Sequence, residues 1–414
     1  MSATDPSPET RWAQVLAAFG AGIVGAAHVG KVPAAIPALR AEFALDLVTA
    51  GWVVSIFSAT GILFGMAAGL LSDRLGQRRI AVAGLLLLAA GSALGALAES
   101  GLTLLWTRFA EGMGYIVAVV AAPSIIAQAA APADRRLAIG LWGGFMPAGM
   151  GSMLIAAPFL QPSIGWRGSW AVMAGLTLIW AGIMAWAFRE DAGRAAASAL
   201  PEHPWRNMRI TLKARGPWLL ALCFGCYTLP WLALMVWLPT FIVEQRGLPV
   251  RLAAWLTVAA VLINLPGNIL GGWLSHRQVA RGLVLAVAGA AIVTAGPLIY
   301  LEILPDAGRF AVCLLYSFIV GVVPAIVLGA APWFAPGPGQ IATTNGLIVQ
   351  GSHLGMLSGP PVAAAVVGLF GGWQGGAVVF AACGLGVLFF AALIYREERR
   401  LAVLQGSSDR GPAK

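Results

Sequence analysis

The chain has 414 residues, of which 59% are hydrophobic and 10% charged, with a formal net charge of +9 and a mean hydropathy of +0.82. Soluble globular proteins carry about 25% charged residues, so a soluble chain of this length is excluded: it could not cover its surface. Nor does the positive balance point to nucleic acid, because the basic residues sit in short breaks between apolar runs of about 20 residues, the length of a membrane span.

The first ten residues are polar and include two acids. The apolar run that follows is too long for a signal peptide and lacks a cleavage pattern, so span 1 is expected to act as its own insertion signal. Apolar runs place spans near 12–37, 50–71, 79–98, 102–130, 137–161 and 170–188, and again near 217–243, 252–274, 282–304, 308–334, 340–369 and 373–395. The expected fold is an all-α membrane protein of twelve transmembrane helices in two pseudo-symmetric six-helix bundles. The bundles would be residues 1–188 and 217–396, with a cytoplasmic linker at 189–216 and a cytoplasmic tail at 397–414. The second part of the linker mixes Trp, Met, Ile and Leu with Arg and Lys, as a helix lying on a membrane surface would. Nineteen of the 26 Lys and Arg residues fall on one side of this topology and five on the other. By the positive-inside rule both termini are cytoplasmic.

Span 1 ends in HVGKVPAAIP (His28–Pro37), which puts a histidine and a lysine one helical turn apart. Lys31 lies about 28 Å along the helix from Trp12. It is either a group that binds or steers an anion or a lysine that snorkels to the outer interface. Pro33 and Pro37 are expected to break the helix just beyond. Span 4 carries RFAEGMGY (Arg108–Tyr115). Arg108 and Glu111, three apart, share a helical face and can neutralise each other. Ions inside a span normally face a cavity, so Glu111 reads as a proton site beside Arg108 or as half of a structural ion pair.

The four cysteines all fall within expected spans, and Cys223 and Cys226 read as small apolar fillers despite their C-x-x-C spacing. Other polar or aromatic groups within spans are candidate cavity liners: Tyr115, Trp142, Tyr227, Trp231, Asn264, Asn268, Gln350 and His353. For each Asn or Gln the alternative is an interhelical hydrogen bond, worth on average about 0.6 kcal/mol. Pro230 and Pro239 mark gating bends in span 7. His28 and His353 are the histidines within spans, and imidazoles titrate near neutrality. No metal-ligand cluster is expected, and APGPGQ (335–340) lacks the Lys-Ser/Thr of a phosphate-cradling loop.

GLLSDR (69–74) and GWLSHR (272–277) lie 203 positions apart, and Gly149, Met150 and Ser152 return 206 positions later as Gly355, Met356 and Ser358. Two repeats at nearly one offset, six spans on, suggest related halves that rock about a central site. The fuller stretch GLLSDRLGQRR (Gly69–Arg79) resembles the loop motif of the major facilitator superfamily, and R-x-x-x-G-x-G at Arg108–Gly114 resembles that family's second motif. The first resemblance makes Gly69, Asp73, Arg74, Gly76, Arg78 and Arg79 a conformational latch. His276 replaces the acid in the second copy, so a latch there is weaker or absent. GKVPAAIPALRAEF, TRFAEGMGY, IGLWGGFMPAG, GWRGSW, VWLPTFIVEQRG and NGLIVQGSHLGMLSGPP together resemble the branch that includes cyanate and 2-nitroimidazole transporters. FMPAGMGS in span 5 lacks the Gly-Pro pair of the family's antiporter motif, which argues against antiport of lipophilic drugs.

The resemblance and the charges imply a secondary transporter of a small, anionic solute, moved with a proton through Glu111 and His28, with Lys31 and Arg108 holding the anion. The alternative is a proton-coupled exporter of a hydrophobic compound. A membrane-embedded enzyme or sensor has no paired acids, nucleophile or signalling domain to support it. No cofactor or metal is expected. The expected partners are a small-molecule substrate, protons and membrane lipids, with no nucleic acid. The chain would work as a monomer in a bacterial cytoplasmic (inner) membrane.

Overall fold

A computed structural model describes the backbone of residues 9–189 and 204–408, and their side chains except those of 68–75, 136, 204 and 402–408. Much of the expected linker, the last residues of the tail, and the side chains of Gly69, Asp73 and Arg74 therefore lie outside the described residues. Among the described residues every regular element is a helix. Lipid offers the backbone no hydrogen bonds, so a span must satisfy its own.

Packing divides the chain into two compact units, Met1–Leu45 with Ala67–Glu202, and Asp46–Met66 with His203–Lys414. The first unit contains α1 (Trp12–Phe43), the end of α3 (Ala59–Leu75), α4 (Gln77–Ala96), α5 (Gly101–Ala129), α6 (Arg135–Gly143) and α7 (Phe145–Ala187). Here α1 packs along α7 and α5, and α4 along α5 and α7. Glycine allows the closest approach: a Cβ on Gly84 of α4 would stand 2.7 Å from the Gly114 carbonyl of α5, and one on Gly114 would stand 2.6 Å from the Gly84 carbonyl. Neither backbone can yield, so R-x-x-x-G-x-G sets the α4–α5 distance. Ser100 caps α5, its hydroxyl accepting the Thr103 N–H at 3.1 Å.

Two elements differ from the sequence reading. The expected break at Pro33 and Pro37 is absent, because α1 carries both prolines and runs on to Phe43, ending on Ala44 in the left-handed region at φ 50°. The prolines are four apart, so they withdraw donors only from the carbonyls of Val29 and Pro33. Packing against α7 and α5 outweighs that loss. Spans 5 and 6 are continuous in α7, whose 43 residues would extend about 65 Å if straight, twice the hydrocarbon thickness. Gly165, at φ 66° and ψ −177°, divides it into two arms of span length. With that division, the eleven described helical segments apolar enough to cross a membrane make twelve crossings.

The second unit contains α2 (Leu47–Ser55), the start of α3, α8 (Pro204–Lys213), α9 (Arg215–Arg246), α10 (Val250–Leu262), α11 (Asn264–His276) and α12 (Arg281–Tyr300). It continues with α13 (Asp306–Val320), α14 (Val322–Gly329), α15 (Ala331–Phe334), α16 (Ile341–Leu369) and α17 (Gly376–Ser408). Its main seams are α9 with α16, α12 with α17, and α16 with α2. The last seam departs from the simple division by chain order, since span 2 packs here. Small residues explain the fit: a Cβ on Gly51 would lie 2.9 Å from the Pro361 nitrogen, and Gly61 lies against the His353 ring. Pro230 and Pro239 lie inside α9, which is one helix throughout.

Both units are apolar outside. Leu63, Leu94, Trp106, Ile179, Leu283 and Phe389 are all more than half exposed, whereas Lys31, Arg108 and Glu111 have no exposure at all. That inversion is what a hydrocarbon solvent selects.

Candidate functional site

Four ionisable side chains from two helices meet inside the first unit. α1 supplies His28 and Lys31, and α5 supplies Arg108 and Glu111. Lys31 Nζ donates to Glu111 Oε1 at 2.9 Å, to Ser92 Oγ of α4 at 2.8 Å and to His28 Nδ1 at 3.0 Å. An ammonium has three N–H bonds, and all three are used. Arg108 Nη1 donates to the other carboxylate oxygen, Glu111 Oε2. The i,i+3 spacing expected from the sequence thus forms an ion pair, but the carboxylate is shared with a lysine 80 positions away. Lys31 Nζ also stands 4.5 Å from the centroid of the Trp170 ring on α7, close enough for a cation–π attraction.

The bonds that leave this cluster fix its proton positions. Because His28 Nδ1 accepts from Lys31, the neutral ring carries its proton on Nε2 and donates to Thr177 Oγ1 at 2.8 Å. Thr177 donates its own hydroxyl to the Met173 carbonyl at 2.6 Å, and Ser92 donates to the Trp170 carbonyl at 2.9 Å. His28 Nδ1 lies 3.3 Å from Glu111 Oε2. A proton arriving at Nδ1 would turn that approach into a hydrogen bond. Formally the cluster holds two cations, one carboxylate and a neutral imidazole, for a net charge of +1. A net charge is costly in so dry a place, and an anion or an added negative group would offset it. Ser92, Trp170 and Thr177 were not singled out in the sequence, where serine, threonine and tryptophan within spans are too common to carry a signal.

Tyr115 and Trp142 touch α1 nearer its start. Tyr115 is buried one turn beyond Glu111, against Gly25, and Trp142 lies over Gly22 and stacks on Phe145 at 4.2 Å. The remaining candidates belong to the second unit and form two groups. Trp231 Nε1 donates to Ser317 Oγ at 3.3 Å, and Asn264 donates to the Ser317 carbonyl at 2.8 Å. Asn268 donates to Asn264 Oδ1 at 2.8 Å. Tyr227 is buried one turn before Trp231 and stacks on Phe224 at 5.9 Å. Gln350 and His353 lie instead on α16, where Gln350 donates to the Ile62 carbonyl at 2.7 Å. Asn264 and Gln350 each spend a donor on another helix and so tie helices together within the second unit, whereas Asn268 bonds within α11.

The family model of the Major Facilitator Superfamily matches residues 12–348. The chain belongs to the Major Facilitator Superfamily. It is 25% identical over 354 residues to the "Probable sulfoacetate transporter SauU" of Cupriavidus necator, covering 80% of this chain and 81% of that one. It is 27% identical over 383 residues to the 3-(3-hydroxy-phenyl)propionate transporter of Escherichia coli, covering 89% of each. A bacterial homolog of the human lysosomal transporter Spinster, solved inward-facing and unoccupied, superposes with a TM-score of 0.75 at 17% identity, covering 97% of this chain and 98% of that one. This facilitator is therefore a multi-pass membrane transporter of small molecules, not an enzyme.

Family membership gives the loop motif its context. Gly76 separates α3 from α4 at φ 89°, in the left-handed region. Just beyond it, Arg78 donates to the Ala185 carbonyl at the end of α7 at 2.7 Å. A cation on the last carbonyls of a helix satisfies an orphan acceptor and complements the helix dipole. Arg79 is exposed.

Proposed function

We propose that this facilitator moves a small anion, in the first instance a carboxylate, together with a proton and by alternating access. The buried cluster of Lys31, Arg108, Glu111 and His28 is the observation that carries the reading. Its net charge of +1 attracts an anion, and Glu111 is the one buried carboxylate among the described residues. Protonating Glu111 would raise the cluster to +2 and release both cations toward an incoming anion. Returning the proton would restore the ion pairs and expel the anion. His28, 3.3 Å from Glu111 and 3.0 Å from Lys31, would pass that proton. The relatives' names, a sulfoacetate and a hydroxyphenylpropionate transporter, are both of carboxylates. They favour this wider class over the particular solutes of the cyanate and 2-nitroimidazole branch.

All four groups are closed to solvent, so an anion reaches them when Lys31 draws away from Glu111. Tyr115, Trp142, Tyr227, Trp231, Asn264, Asn268, Gln350 and His353 are proposed to shape the solute's path. Gly69, Asp73, Arg74, Gly76, Arg78 and Arg79 are proposed as the latch that sets the conformational equilibrium. The protein would work as a monomer among lipids in a bacterial inner membrane, with both termini cytoplasmic. Uptake of a carboxylate panel into proteoliposomes tests the reading. Lys31→Ala and Arg108→Ala are expected to abolish uptake while the protein still elutes as a single species in detergent. Normal uptake by both variants would overturn the anion site.

A further inference from the structure

We propose that α8 is a docking surface for anionic phospholipid, and that it passes the occupancy of its basic face to the start of α16. On a helix of ten residues, Asn207 and Thr211 share one face, and that face is already used. Asn207 accepts from Gln340 Nε2 at 2.8 Å, Thr211 and Thr343 hydroxyls meet at 2.5 Å, and Met208 packs on Met66, Ala221 and Leu347. Gln340 is the residue just before α16, and Thr343 lies in its first turn. The opposite side holds Arg206, Arg209 and Lys213, all exposed, with Trp205 and Leu212 forming an exposed apolar strip beside them. No acidic residue occurs from Pro204 to Trp218.

A bilayer surface fits this face better than a soluble partner. One residue, Ala214, separates α8 from the membrane span α9. Trp218 in the first turn of α9 donates from Nε1 to the Leu212 carbonyl at 2.9 Å, which holds the short helix against the end of the span. The free face is therefore kept at headgroup depth. An apolar strip beside a basic strip is the pattern of a helix whose one edge enters the acyl boundary and whose other edge meets phosphates. Each Lys or Arg near an anionic surface favours the bound form by about fivefold. The three on this face, joined by Arg215 at the start of α9, make the contact depend on lipid charge. Because the opposite face is bonded to Gln340 and Thr343, anionic lipid would steady the first turn of α16.

Hydrogen exchange of the full chain in nanodiscs tests this without reference to any transported solute. Discs of phosphatidylglycerol are compared with discs of phosphatidylcholine, for wild type and for the Arg206→Gln/Arg209→Gln/Lys213→Gln variant. Wild type is expected to exchange about tenfold more slowly across 204–213 and 340–347 in phosphatidylglycerol than in phosphatidylcholine. The variant is expected to lose that difference while its other spans keep wild-type exchange. Equal exchange in the two lipids overturns the proposal, as does a lipid difference that survives in the variant. Protection of 204–213 alone overturns the link to α16. The same protection from inorganic phosphate added to phosphatidylcholine discs would make the face a soluble-anion site and overturn the lipid assignment. Failure of the transport reading leaves every one of these outcomes unchanged.

Discussion

Replacing Glu111 with glutamine removes the carboxylate that Lys31 and Arg108 share and leaves both cations buried without it. At an effective dielectric of about 20, a unit pair at the 2.9 Å separation of Lys31 and Glu111 attracts by about 6 kcal/mol. Desolvation of the ions offsets part of this, and breaking a buried pair from one side costs about 3–5 kcal/mol net. Lys31→Met is milder: it leaves Arg108 paired with Glu111 at zero net charge and costs the bonds to Ser92 and His28, about 1–3 kcal/mol. Glu111→Gln should therefore lower the thermal midpoint in mild detergent about twice as far as Lys31→Met. The double variant should lose less than the two single losses combined, because the groups couple. Tryptophan fluorescence is the suitable probe, since the Trp170 ring stands 4.5 Å from Lys31 Nζ. A thiol dye would report on the wrong unit, because Cys223, Cys226, Cys313 and Cys383 all lie in the second. If Lys31→Met proves as damaging as Glu111→Gln, or the losses simply add, the shared-carboxylate argument fails.

The remaining predictions follow from local geometry. Gly165→Ala should destabilise by about 1–3 kcal/mol although nothing lies within 4 Å of the added methyl, because its φ of 66° with extended ψ suits glycine alone. Gly175→Ala, equally open but helical, should be neutral or stabilising by about 0.5–1 kcal/mol; equal thermal shifts for the two would refute the strain. Gly114→Ala should cost at least about 1–3 kcal/mol through overpacking, read as lost folded yield, since backbone on α4 meets the new Cβ. Arg78→Ala should cost about 1.5–3 kcal/mol through the lost charged bond to Ala185, and faster amide exchange at the end of α7 would show it.

Span positions were legible because hydrocarbon imposes one rule on every residue of a span, so hydropathy alone locates them. Long-range pairing was less so. Arg108 and Glu111 announce themselves by their spacing, whereas the meeting of Lys31 with Glu111 depends on how α1 lies against α5. Read on its own helix, Lys31 has equal claim to the membrane edge. The available signal was the charge count within spans: two cations and one acid, which an apolar interior presses together. Pro33 and Pro37 mislead because local propensity describes an isolated helix, and packing of α1 against α7 supplies what the prolines remove. Spans 5 and 6 were separable by hydropathy, but the divider is the backbone of one glycine in GWRGSW, a conformation that composition does not encode. Side-chain hydroxyls such as Ser92, Thr177 and Ser317 leave no pattern, since each acts by filling one place in a network built from four helices or three.

The coupling role of Glu111 is open to direct measurement by comparing proton-driven accumulation with simple exchange. Proteoliposomes holding wild type or Glu111→Gln would be given a transported carboxylate under an inward proton gradient, and separately preloaded for exchange at equal pH. Wild type should accumulate the anion above equilibrium, and the variant should exchange it yet accumulate none. Accumulation by Glu111→Gln with the wild-type pH dependence would contradict the account.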